Sequence, residues 1–216
     1  MSVVDGGGSA SGLIQRVRDI LTQPKPTWEV IDGEAATIKG LFTGYVAILA
    51  ALPAIAGILA AGFLAPMMGR FAAFGPVGAI VSAVIGYGLT LVGVYVFAIV
   101  VDALAPSFGG VANRVQALKG VAYGGTASWI GGGLSFVPVL GWLIAFAGGL
   151  YSLYLLFLGL PKMMKVPEDK ALGFVLVSLV VVVVIQVVIA WIVGMTIMLA
   201  GFGVAGAAGM GHFMMR

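Results

Sequence analysis

The chain of 216 residues contains no cysteine, one histidine, and charged side chains at only 9% of its positions. Each shortage closes off a class of function. Without cysteine there is no disulfide, no thiolate-bound zinc or iron–sulfur cluster and no thiol nucleophile. The single histidine, His212, cannot build a metal site with other histidines of the same chain, and it reads as a residue of an exposed tail. Catalytic patterns are missing as well. There is no Gly-x-Ser-x-Gly, no His-Glu-x-x-His and no paired-acid constellation, and the run Gly6 to Ser9 is not followed by the Lys-Ser or Lys-Thr of a phosphate loop. No catalytic residue, cofactor or metal is therefore expected. The formal net charge of +3 is too small and too dispersed for nucleic-acid binding.

What the chain has in excess is apolar surface, at 61% hydrophobic residues, and glycine, at 34 residues. Soluble domains carry roughly 25% charged residues, and they rarely expose large contiguous apolar patches. Most of this surface must therefore face lipid, and the glycines suit membrane helices that pack closely. The composition predicts an all-α, polytopic integral membrane protein, a bundle of five transmembrane helices.

The spans follow from the spacing of charges. A crossing needs about 20 apolar residues, and an unpaired charge at the bilayer centre is costly. Span one is expected near Leu41 to Leu64, with Pro53 kinking it rather than breaking it, because neighbouring helices can satisfy the freed carbonyl. Span two runs near Val77 to Val101, opened by Gly75 and Pro76. The uncharged stretch between Lys119 and Lys162 would be roughly 60 Å long as one helix, about twice the hydrocarbon thickness. It divides at Pro138 into span three, near Gly120 to Val137, and span four, near Leu140 to Leu160. Span three holds Gly124, Gly125, Gly131, Gly132 and Gly133, and is expected to bend or unwind where protein covers it. Span five runs from Leu172 to Leu199. Its β-branched stretch Val180 to Ile185 stays helical because lipid offers backbone groups no other partner.

Five crossings sort the cations. Arg16, Arg18, Lys25, Lys39, Arg114, Lys119, Lys162, Lys165 and Lys170 fall on one side, and only Arg70 and Arg216 on the other. The positive-inside rule places the larger set, with the N-terminus, in the cytosol and the C-terminus outside, as in a multi-pass protein of a cell membrane. All eight acidic residues share the cytosolic side, so polar contacts with a soluble partner are expected there. No signal peptide is expected, because Pro24 and Pro26 separate Arg16 and Arg18 from the first apolar run.

The chain then divides into a disordered leader (1–10), a cytosolic or interfacial amphipathic segment (11–39), the five-helix membrane domain (40–200) and a Gly-rich outer tail (201–216). Within the second segment Leu13, Ile14, Val17, Ile20 and Leu21 recur at helical spacing, Pro24 ends the helix, and a second short helix starts at Thr27. Two compatible readings stand: an interfacial helix with Trp28 at headgroup depth, in contact with lipid or a partner, or a helix packed beneath its own bundle.

Gln186 is the most polar side chain deep in a span, and either lines a pore or hydrogen-bonds across helices. Tyr87, Tyr95, Tyr123, Tyr151 and Tyr154 form a polar stripe or are ordinary interfacial tyrosines. Gly40 with Gly44, Gly120 with Gly124, and Ala145 with Gly149 have the small-residue spacing of close helix pairs, within the bundle or in a homo-oligomer. The segment Tyr151 to Gly173 is the most distinctive. Tyr151 and Tyr154 share a face, and Gly159 and Pro161 are expected to stop helix four. Lys162, Lys165 and Lys170 would meet a partner or anionic headgroups, at about 1 kcal/mol each near the surface. Glu168 and Asp169 suit the start of helix five, where negative charge is favoured.

With Tyr151, Tyr154, Leu155, Gly159, Leu160, Lys162 and Lys165 in this closing pattern, the chain resembles the Yip domain family, the Ypt/Rab-interacting proteins, in its bacterial branch. The stretch ILTQPKPTWEVI, Ile20 to Ile31, is similar to the family's short cytosolic lead-in, and the Gly109–Gly110 loop followed by Tyr123 fits its middle. The resemblance runs from about Leu13 to Leu199. It implies five spans with a cytosolic N-terminus, and a non-enzymatic scaffold or organiser whose partners are membrane lipids and a membrane or cytosolic protein. The alternative is a channel or transporter for a small solute or ion, built on spans three and four with Gln186.

Overall fold

The computed structural model describes residues 10–68 and 75–214, with side chains described for 11–62, 78–196 and 198. The expectations placed on the leader, on Arg70, on Arg216 and on the His212 side chain lie outside the described residues. The described residues are helical almost throughout, with no strand among them. Two short helices come first, α1 (Ala10–Thr22) and α2 (Pro24–Gly33). Helix α2 begins at Pro24 rather than at Thr27, because a proline's fixed φ and missing N–H suit the first helical position. Helix α3 (Ile38–Leu41) is capped by the Thr37 hydroxyl, which accepts the Gly40 N–H at 3.0 Å. A single π-turn (Phe42–Val46) carries it into α4 (Ala47–Met68), which passes through Pro53 without ending. Helix α5 (Gly75–Leu104) closes with a 3₁₀ turn and a left-handed Gly109. Helices α6 (Arg114–Gly124), α7 (Thr126–Gly133), α8 (Gly141–Met163) and α9 (Glu168–Met214) follow.

Four stretches among the described residues are long and apolar enough to cross a membrane: Ile38–Gly62, Gly78–Phe108, Gly141–Met163 and Glu168–Thr196. Their outward faces carry large apolar side chains, among them Trp142 and Phe146 on α8 and Val180, Val187 and Trp191 on α9. A water-soluble surface would not be built this way; the solvent for these faces is lipid. The chain is an all-α, polytopic membrane protein.

The segment expected as span three is not one helix. It is α6 and α7, parted at Gly125, and each is too short to cross alone. The pair nonetheless runs antiparallel along most of α8. Gly120 lies against Leu160 and Met163, Gly124 against Leu156, and Gly131 against Gly148. Residues 114–133 cover about 30 Å if helical throughout. The pair also touches α4 and α5, and Ala117, Leu118, Val121, Ala122, Ala127 and Trp129 are buried. It forms the interior of the bundle, which is why its own sequence is less apolar than the lipid-facing spans. Glycine is required at the tightest crossing, where a β-carbon on Gly131 would stand 2.8 Å from the Ile144 carbonyl oxygen. The break at Gly125 exposes the first N–H groups of α7, and Ser152 of α8 answers one of them: its Oγ accepts the Ser128 N–H at 2.8 Å.

Helix α8 does not stop at Gly159 and Pro161 as expected. It continues to Met163, and Pro161 lies inside it. The stop is a Schellman turn: the Val166 N–H donates to the Pro161 carbonyl at 2.9 Å and the Lys165 N–H to the Lys162 carbonyl at 3.3 Å. Lys165 takes the left-handed position, φ 53°, where glycine is usual. On the other side of the bundle the turn between α7 and α8 holds Val139 at φ 68°.

Candidate functional site: a clamp of the N-terminal helices on the bundle

Most of the apolar face of α1 and α2 packs on the chain's own bundle, while Ile14 and Val30 stay exposed. Ile20, Trp28 and Ile31 are buried with Leu155 and Met163 of α8 and Ala127 of α7. The Trp28 ring fills a notch left by the missing side chain of Gly159. The ring also meets Tyr123 of α6 edge-on, with centroids 6.5 Å apart. Tyr123 is a hub, since Tyr45 of the π-turn packs on it at 4.6 Å and the Arg16 guanidinium lies 5.7 Å from its ring centroid. The Thr126 hydroxyl donates to the Tyr123 carbonyl at 2.7 Å, so the 2.6 Å contact between Tyr45 and Thr126 has the tyrosine as donor. Tyr151 donates its phenol proton to the Leu21 carbonyl at the end of α1, 2.8 Å away.

A ring of charge closes the edge of this packing. Lys119 is only 3% exposed, and its Nζ donates to the Ile31 carbonyl at 2.9 Å and to the Glu34 carbonyl. It thus caps the C-terminal end of α2, where cations are favoured. Gln116 Nε2 donates to the Asp32 carbonyl at 3.1 Å. Ion pairs join Arg16 to Glu34, Lys162 to Glu29 and Lys165 to Asp32. Further along the same edge, Asp102 accepts from Arg114 Nε at 2.7 Å.

The residues singled out from sequence fall in different places. Trp28 is 1% exposed, so its contacts are with this chain. Lys162 and Lys165 face Glu29 and Asp32 of α2, while Lys170 is exposed beside the Gly109 loop. Tyr151 belongs to the clamp, and Tyr154, its ring 5.6 Å from that of Tyr151, faces outward. Gly159 forms the notch, and Pro161 lies inside α8 with its carbonyl accepting the Val166 N–H of the closing turn. Gln186 is exposed on α9 rather than turned into the bundle. Of the paired small residues, Gly120 and Gly124 pack inside, against α8, whereas Gly149 meets nothing.

Sequence reasoning missed Arg16, Tyr45, Tyr123 and Lys119 as a connected group. Arg16 and Lys119 were legible only as topological charges. Nothing in their spacing linked residues so far apart in the chain. Among the described residues no three potential metal ligands cluster. The arrangement can fix two helices on a membrane bundle and hold their exposed faces in a set orientation.

The chain matches the family described as the Yip1 domain over residues 18–192. It is 26% identical over 196 residues to the inner membrane protein YohC of Escherichia coli K12, a match covering 88% of this chain and 98% of that protein. The YohC protein of the O6:H1 strain matches with the same identity and coverage. No solved structure matches.

Proposed function

Because the chain belongs to the Yip1 domain family, we propose that it is a non-enzymatic scaffold or organiser of a bacterial inner membrane, holding a fixed cytosolic face toward lipid headgroups and a protein partner. The inner-membrane placement follows the name of its YohC relatives. In this reading α6 and α7 together make the third of five crossings, which leaves α1 and α2, the loop at 105–113 and the loop at 164–167 on the cytosolic side.

The clamp is the observation that carries the proposal. A helix pair held by a buried Trp28, a buried Lys119 and three ion pairs presents its outer surface in one orientation. That outer surface holds Ile14, Arg18, Lys25 and Val30, with Lys39 and Lys170 also exposed. None of these four cations pairs with a described carboxylate. They are free for phosphate headgroups or an acidic partner surface, whereas Lys162 and Lys165 contribute chiefly to the clamp.

The test is photo-crosslinking in native membranes from probes placed at the exposed positions 14 and 30, in the parent chain and in a chain in which Lys25, Lys39 and Lys170 are all glutamine. The proposal expects one shared captured species from both positions, lost in the triple variant. An unchanged profile counts against it. Solute flux through purified protein in liposomes, abolished by Gln186→Leu, would replace it with the channel reading.

A further inference from the structure

Gln186 is exposed on α9 among the exposed Val183, Val184, Val187 and Val188. Its amide has no hydrogen-bond partner among the described residues. Its depth is fixed by packing: Ile185 and Ile189 meet Gly93 of α5, which lies nine residues, about 14 Å, along that helix from Asp102. The amide is therefore inside the hydrocarbon, where neither its donors nor its carbonyl can find water.

We propose that α9 is the seam of a homodimer, in which Gln186 of each copy donates to the amide oxygen of Gln186 in the other. A second copy is the occupant that fits. Copies inserted with one topology carry the same residue at the same depth, and a primary amide complements itself under a two-fold axis along the membrane normal. The neighbouring surface permits the approach. Ala190 and Gly194, one and two turns beyond Gln186, are both exposed, and a β-carbon at Gly194 would meet nothing within 4 Å. Helix α9 has free length for such a seam, since its packing within the chain is mainly on α5 with a smaller contact on α8.

The native chain has no cysteine, so single replacements report without background. In native membranes under a mild oxidant, Ala190→Cys should give a disulfide-linked dimer. Phe157→Cys, on the exposed face of α8, should stay monomeric. By energy transfer between labelled copies diluted in vesicles, Gln186→Leu should raise the dimer dissociation constant about eightfold, the effect of losing two interhelical bonds at about 2.8-fold each. Gln186→Asn should retain most of the association. Crosslinking of Ala190→Cys no greater than that of Phe157→Cys, or an unchanged constant for Gln186→Leu, would each overturn the proposal.

Discussion

The Trp28 indole occupies the space that a side chain on Gly159 would need. One residue is in a short N-terminal helix and the other near the end of a membrane span, so their fit ties α1 and α2 to the bundle. A methyl group at position 159 cannot be absorbed by a flexible neighbour, because the nearest atoms belong to a rigid ring that is itself buried. Gly159→Ala should destabilise the protein by about 1–3 kcal/mol, as overpacking does. Trp28→Ala alone should cost about 3–5 kcal/mol. The double variant should cost clearly less than the two together, since the methyl group then enters a vacated notch. Unfolding titrations in detergent measure all three. Strict additivity would mean that the two residues do not share this space.

Lys119 offers a second test. Its ammonium is buried on two carbonyls at the end of α2. Hydrogen bonds from a charged donor contribute about 1.5–3 kcal/mol each, and part of that gain offsets the burial of the charge. Lys119→Met should therefore cost about 2–3 kcal/mol, and the loss should be local. Limited proteolysis should free α1 and α2 before it cuts the spans. Equal protease resistance in the variant and the parent would show that the clamp does not depend on this cap.

Lys165 makes the opposite prediction. It holds a left-handed conformation that costs a side-chain-bearing residue roughly 1–2 kcal/mol, and it forms an exposed ion pair with Asp32 worth about 0–1 kcal/mol. Lys165→Gly removes both, so thermal unfolding should show unchanged or slightly raised stability, by up to about 1 kcal/mol. A loss larger than that would mean that the pair with Asp32 contributes far more than an exposed pair should.

How much of this was legible in the sequence depends on what each segment packs against. Helices α4, α5, α8 and α9 face lipid, so long uncharged apolar runs between charges marked them. Helices α6 and α7 face other helices. There a residue need only be small and not strongly polar, and Gly124, Gly131 and Gly148 announce close approach without naming the partner. Trp28 was ambiguous for a similar reason. An apolar stripe on a short helix has the same spacing whether it meets lipid or protein, and only Gly159, more than a hundred residues away, decides between them. The cations supported a topological expectation from their spacing alone. Their pairing was not legible, because Lys162 with Glu29 and Lys165 with Asp32 depend on how α2 lies against the end of α8.

A crossing made jointly by α6 and α7 would put the two ends of the pair on opposite sides of the membrane. Val111 precedes α6 and is 60% exposed, and Val139 follows α7 and is 81% exposed. Single cysteines at these two positions, probed with an impermeant thiol reagent from each side of sealed membranes, measure the crossing directly. The prediction is that Val111→Cys reacts only from the cytosolic side and Val139→Cys only from the opposite side. Reaction of both from the same side would contradict it.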